Sequence, residues 1–133
     1  MTIFEKATIG AVNIIQAEHI SDYEKAWHEA LSKFTPSNET LSKGCPKNTF
    51  VDLCSFGFVK GINKKMNRTL SENGRKAIAA IEILNNQNWQ FNNKKNFWIE
   101  NFETSHQSQL DIILALKNED LLILNNSCED ILK

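Results

Sequence analysis

Ser21-Asp22-Tyr23-Glu24-Lys25-Ala26-Trp27-His28-Glu29-Ala30-Leu31-Ser32-Lys33-Phe34 is the stretch that decides the fold. Tyr23, Ala26, Trp27, Ala30, Leu31 and Phe34 recur at three- and four-residue steps, which lays them along one face of a helix. Ser21 with Glu24 has the spacing of a capping box, in which a hydroxyl and a carboxylate satisfy the free N–H groups of a helix start. Thr35-Pro36 stops the helix, because the residue before proline is pushed out of the helical region.

The same pattern extends in both directions. Upstream, Thr2 with Glu5 starts a helix carrying Phe4, Ala7, Ala11, Ile14 and Ile15 on one face. Downstream, the polar stretch Ser37 to Gly44 is a loop with room for one helical turn. Cys45-Pro46 opens a third helix with Thr49, Phe50, Leu53, Cys54 and Phe56 inward; Gly57 supplies a left-handed exit, and Phe58 and Val59 tuck back into the core. Gly57 to Arg68 reads as a lysine-rich connector. Thr69 with Glu72 opens a fourth helix bearing Ala77, Ile78, Ile81 and Leu84. Asn92 or Asn93 caps a fifth with Phe97, Trp98 and Phe102. Thr104-Ser105 caps a sixth with Gln109, Ile112, Ile113 and Leu116. Strand fragments fit only Phe58-Val59 and Leu121-Leu124, and a last turn runs from Ser127 to Leu132. The expectation is an all-α, six-helix single domain over residues 1–133.

Those helices read as two copies of one three-helix unit. Ala11-Val12-Asn13-Ile14-Ile15 answers to Ala80-Ile81-Glu82-Ile83-Leu84, and Trp27 and Leu31 answer to Trp98 and Phe102. Phe50, Leu53, Phe58 and Val59 answer to Ile113, Leu116, Leu121 and Leu122. Unit one is then 2–62, a basic connector 63–68, unit two 69–124 and a tail 125–133. The two tryptophans are expected to share one core.

The chain has 133 residues, a formal charge of -1, 41% apolar and 23% charged residues. That size and balance suit one folded domain and exclude a globally basic nucleic-acid binder. Apolar runs such as Leu121-Leu122-Ile123-Leu124 fall far short of the ~20 residues that span a bilayer. Met1 to Ile20 has no basic-then-apolar leader, so a cytoplasmic location is expected. Cys45, Cys54 and Cys128 are too few and odd for a disulfide framework, and with His19, His28 and His106 scattered, neither metal nor cofactor is expected.

Five glycines and no phosphate loop, nucleophile elbow or metalloprotease helix leave chemistry to scattered residues. The first turns of the third and sixth helices carry Cys45, Lys47 and Asn48, then His106, Gln109 and Asp111, next to free N–H groups able to hold an anion or activate a thiolate. In a shared cleft, Cys45, His106 and Asp111 would make a nucleophilic set; the bland alternative is helix capping and solvation. Residues 41–68 hold Lys43, Lys47, Lys60, Lys64, Lys65 and Arg68 against Asp52 alone, a local patch able to meet phosphates. Helix three, Gly57-Phe58-Val59-Lys60 and Leu70-Ser71-Glu72-Asn73-Gly74 are similar in outline to winged-helix DNA-binding proteins. Ser71 there replaces a threonine, and the link Thr35 to Cys45 is too long for a helix-turn-helix. Trp89 and Phe91, in a polar loop, are candidate anchors for a protein partner.

Lys43-Gly44-Cys45-Pro46-Lys47-Asn48-Thr49-Phe50, Leu53-Cys54, Gly57-Phe58-Val59-Lys60-Gly61-Ile62, Ala26-Trp27 and Ser108-Gln109-Leu110-Asp111-Ile112-Ile113-Leu114-Ala115-Leu116 together resemble a family of small uncharacterised bacterial proteins, some carried on mobile gene cassettes. The resemblance implies a small cytosolic bacterial protein and transfers no activity. The expected role is non-catalytic binding of a protein partner or a second copy. Nucleic-acid binding through the basic patch is the first alternative, and a small enzyme or anion binder at the helix starts the second.

Overall fold

A computed structural model describes residues 1–65, 68–104 and 108–124. Seven helices form in order: α1 (Ile3–Glu18), α2 (Tyr23–Ser32), α3 (Asn38–Leu41), α4 (Gly44–Ser55), α5 (Glu72–Asn86), α6 (Lys94–Phe102) and α7 (Ser108–Asn118). Six are the expected helices and α3 is the single turn in the polar loop. The Ser105 cap and the 125–133 tail, with Ser127, Cys128 and Leu132, lie outside the described residues.

Capping explains most of the boundaries, with two corrections. Thr2 and Glu5 make the expected reciprocal box, and Asn93 caps α6. At α2 the cap is Asp22 and not Ser21: its carboxylate accepts the Lys25 N–H at 3.0 Å, and its charge favours the positive helix end. At α5 the cap is Ser71 and not Thr69, accepting the Gly74 N–H at 3.1 Å. Phe34 also leaves its expected face. The last turn of α2 tightens, with the Phe34 N–H on the Leu31 carbonyl, and the ring ends 40% exposed beneath the Lys6 ammonium.

α1 packs along α2 and α7, and α4 packs on α5, α2 and α7, with α5 also against α7. Trp27 and Trp98 are both fully buried in one hydrophobic cluster. Trp27 is stacked between Phe4 and Phe50, the latter with centroids 5.2 Å apart, whereas Trp98 lies 4.3 Å from Phe102. α6 enters no closely packed helix pair among the described residues and reaches the core through Phe97 and Trp98.

The exits of α4 and α7 are built alike. The Phe58 N–H reaches back to the Leu53 carbonyl at 2.9 Å and the Leu121 N–H to Leu116 at 2.8 Å. The residue before each is left-handed: Gly57 with φ 87° and Asp120 with φ 57°. The two exits then pair antiparallel at Val59 and Leu122. Lys60 N–H bonds the Leu121 carbonyl at 2.7 Å, and Ile123 N–H bonds the Phe58 carbonyl at 2.8 Å. Among the described residues Phe58-Val59 forms no local hairpin, a departure from the winged-helix outline: its bridging partner is the far end of the domain.

The connector is fastened to its neighbours. Gln16 donates to the Lys60 carbonyl at 3.0 Å and the Tyr23 hydroxyl to the Asn63 carbonyl at 2.6 Å. The Lys65 N–H bonds the Ser55 carbonyl at 2.9 Å, and its ammonium bonds the Ser21 carbonyl.

Candidate functional site

Two buried polar joints pin helix starts in place. In the first, α4 presents Asp52, fully buried, to the start of α5. Its Oδ2 accepts the Ser71 N–H at 3.0 Å and the Ser71 hydroxyl at 2.5 Å, while Oδ1 accepts Arg68 Nε at 2.5 Å. A carboxylate here meets the positive end of α5 as well as a guanidinium. The joint also explains Gly74: a Cβ at that position would stand 2.1 Å from Asp52 Oδ2.

In the second joint, Lys94 at the start of α6 lies 2.9 Å from Glu5 of α1 and 2.7 Å from Asp111 of α7. The Thr2 hydroxyl donates to the other Asp111 oxygen at 3.2 Å. Burial alone would raise the Glu5 pKa, but the hydrogen bond and charge of Lys94, helped by the Thr2 amide, hold it below the ordinary value. Burial likewise opposes the Lys94 charge, and the bonds and charges of Asp111 and Glu5 outweigh it and raise its pKa. Glu5, Asp52 and Asp111 thus each accept from internal donors.

The expected cleft divides between different partners. Cys45 is exposed at the first turn of α4, Asn48 is half-buried beside Gly44, and Lys47 turns to α2, 2.9 Å from Glu24. At the first turn of α7, Asp111 faces α1 and α6, and buried Gln109 donates to Asn73 at 2.9 Å. Gln109 Oε1 has no hydrogen-bond partner among the described residues. His106 lies outside them, so the imagined Cys45–His106–Asp111 set has two described members, one exposed and one clamped by Lys94. The second thiol, Cys54, is buried, and burial pushes its pKa well up, the reverse of what a nucleophile needs. No group of three or more metal-ligating side chains occurs among the described residues.

The basic segment is largely spent on internal bonds. Arg68 holds Asp52, Lys47 holds Glu24, Lys60 lies 3.5 Å from Asp120, and Lys65 sits 4.2 Å over the Tyr23 ring. Lys43 and Lys64 are exposed. Trp89 and Phe91 are half-buried and packed on the core: Lys117 covers the Trp89 ring at 5.1 Å, and Phe91 lies 5.8 Å from Phe97.

Lys47 also borders a groove of ≈ 520 Å³ between α2 and the α3–α4 segment, where Trp27, His28, Leu41 and Ser42 contribute. Sequence reasoning missed this groove, together with Asp52 and Lys94. One signal was visible: glycine in the first turn of a helix weakens it and so calls for a packing reason, and Gly74 is such a residue. No helix among the described residues is long and apolar enough to cross a membrane. No curated protein and no solved structure matches the chain. Its residues 1–123 match the model of a family of unknown function (DUF6979), and the chain belongs to that family.

Proposed function

We propose that the chain is a small non-catalytic binding protein of the bacterial cytosol. It recognises a protein chain, a second copy of itself included, through the groove between α2 and α3–α4. The groove carries this reading: half-buried Leu41, packed over the buried Trp27, gives it an apolar floor beside a charged rim of Lys25, Glu24 and Lys47, the mixture typical of a protein contact. The commitment of Glu5, Asp52 and Asp111 to internal bonds supports binding over catalysis, and free cysteines at 45 and 54 suit a reducing compartment. Sedimentation of the full chain to high micromolar concentration tests it. Self-association should appear and weaken with Leu41→Glu, a change on a short surface helix. A strict monomer removes the second copy from the reading.

We also infer that 2–62 and 69–124 are copies of one unit. Thr2 and Ser71 cap equivalent helices, as do Asp22 and Asn93, and His19 and Asn88 leave α1 and α5 with φ 53° and 54°. The reciprocal bonds between Phe58-Lys60 and Leu121-Ile123 support a twofold relation between the copies. The α1–α7 and α5–α4 packings correspond, whereas α1–α2 has no counterpart of equal extent between α5 and α6.

Nucleic-acid binding has less support, because Lys60, Lys65 and Arg68 have internal partners. A shift of random duplex DNA at low salt that Lys43→Ala with Lys64→Ala abolishes would restore it.

A further inference from the structure

We infer that a second cavity, where the connector crosses the start of α2, binds a small oxyanion of the phosphate class. The cavity measures ≈ 280 Å³ and is lined by Asp22, Tyr23 and Glu24 of α2, Val51 and Ser55 of α4, and Lys65 and Arg68 of the connector.

Three observations carry this. Ser55 is 2% exposed, and its hydroxyl has no hydrogen-bond partner among the described residues, although buried hydroxyls are nearly always satisfied. Each acidic group nearby already accepts from a donor: Asp22 gives one oxygen to the Lys25 N–H, Glu24 gives one to Lys47, and Asp52 gives both to Arg68 and Ser71. The cations keep donors in reserve: Arg68 gives Nε to Asp52, which leaves the N–H groups of its two terminal nitrogens, and Lys65, over the Tyr23 ring, gives one of its three N–H groups to the Ser21 carbonyl.

Beside the Asp22 and Glu24 carboxylates the cavity offers three kinds of donor: a planar guanidinium, an ammonium and a hydroxyl. Tetrahedral oxyanions with several acceptor oxygens match that set, and arginine with lysine is the usual pairing for them. The backbone bond from the Lys65 N–H to the Ser55 carbonyl holds the two residues side by side. The site goes beyond the protein-binding groove, with which it shares only Asp22 and Glu24.

Titration calorimetry of the full chain with inorganic phosphate, ionic strength held constant with chloride, tests the site. One saturable site is expected, weakened about tenfold or more by Ser55→Ala and by Lys65→Gln, the scale of a charge-assisted hydrogen bond. Because the Ser55 hydroxyl has no partner to lose, Ser55→Ala should leave the unfolding midpoint without phosphate unchanged, which separates a ligand role from a structural one. No heat beyond the chloride control, or phosphate affinity unaltered in both variants, would overturn the inference.

Discussion

The two buried joints solve the same problem with different charge balances. At the start of α5, one carboxylate with no exposed surface is shared among a guanidinium, a hydroxyl and a backbone N–H. At the start of α6, one lysine, 31% exposed, is shared between two carboxylates. The two cations are about equally exposed, 30% for Arg68 and 31% for Lys94. The Asp52 carboxylate, however, has no exposed surface and a glycine packed on it, whereas Glu5 and Asp111 keep 12% and 9% of their side chains in solvent, which screens them. Removing a partner should therefore cost much more in the first than in the second, because an uncompensated charge is expensive only where water cannot reach it.

Asp52→Ala is the largest expected effect. It strands Arg68 and the Ser71 amide, and unfolding by urea should show a loss of about 3–5 kcal/mol. A loss below that of the Lys94 variant would break the comparison. Gly74→Ala comes next. Alanine ordinarily stabilises a helix, but here its methyl would meet Asp52 Oδ2, so a net destabilisation of about 1–3 kcal/mol is expected in the same assay. A gain instead would mean that the joint yields easily.

Lys94→Met should cost about 1–2 kcal/mol at neutral pH. Its pH dependence sharpens the point. Glu5 has a folded pKa below its ordinary 4.5, so its contribution is complete above 4.5 and disappears as pH falls through the lowered value. Lys94 has a folded pKa above its ordinary 10.5, so its contribution is complete below 10.5 and fades as pH rises through the raised value. The gap between wild type and Lys94→Met should be widest between those limits and narrow outside them, as followed by tryptophan fluorescence. Lys60→Ala is the smallest effect: its pair with Asp120 is exposed, and the change should stay within about 0.5 kcal/mol.

Helical periodicity was enough to read the helices and the core, because burial of Trp27, Leu31, Ile81 and Leu116 follows a local spacing that a sequence displays directly. Caps were legible where the signal is local: the reciprocating hydroxyl and carboxylate of Thr2 and Glu5, and the asparagine directly before α6. At Ser71 the choice of cap depends on Asp52, 19 residues away, and local pattern puts it two residues early. The sites were less legible for the same reason. Lys94 is 89 residues from Glu5, and the groove at Lys47 exists because α2 and α4 meet. The charge count of the basic segment was correct, but charge alone does not reveal that Arg68 and Lys65 face inward.

The central claim is that α5 is held to α4 through one buried carboxylate. The most direct measurement is a double-mutant cycle on Asp52 and Ser71, using Asp52→Ala, Ser71→Ala and the double variant in urea unfolding. A coupling of about 1.5–3 kcal/mol is predicted, the range for hydrogen-bonded charged groups in contact. Additive losses, with coupling near zero, would contradict the joint and with it the assignment of these polar groups to structure.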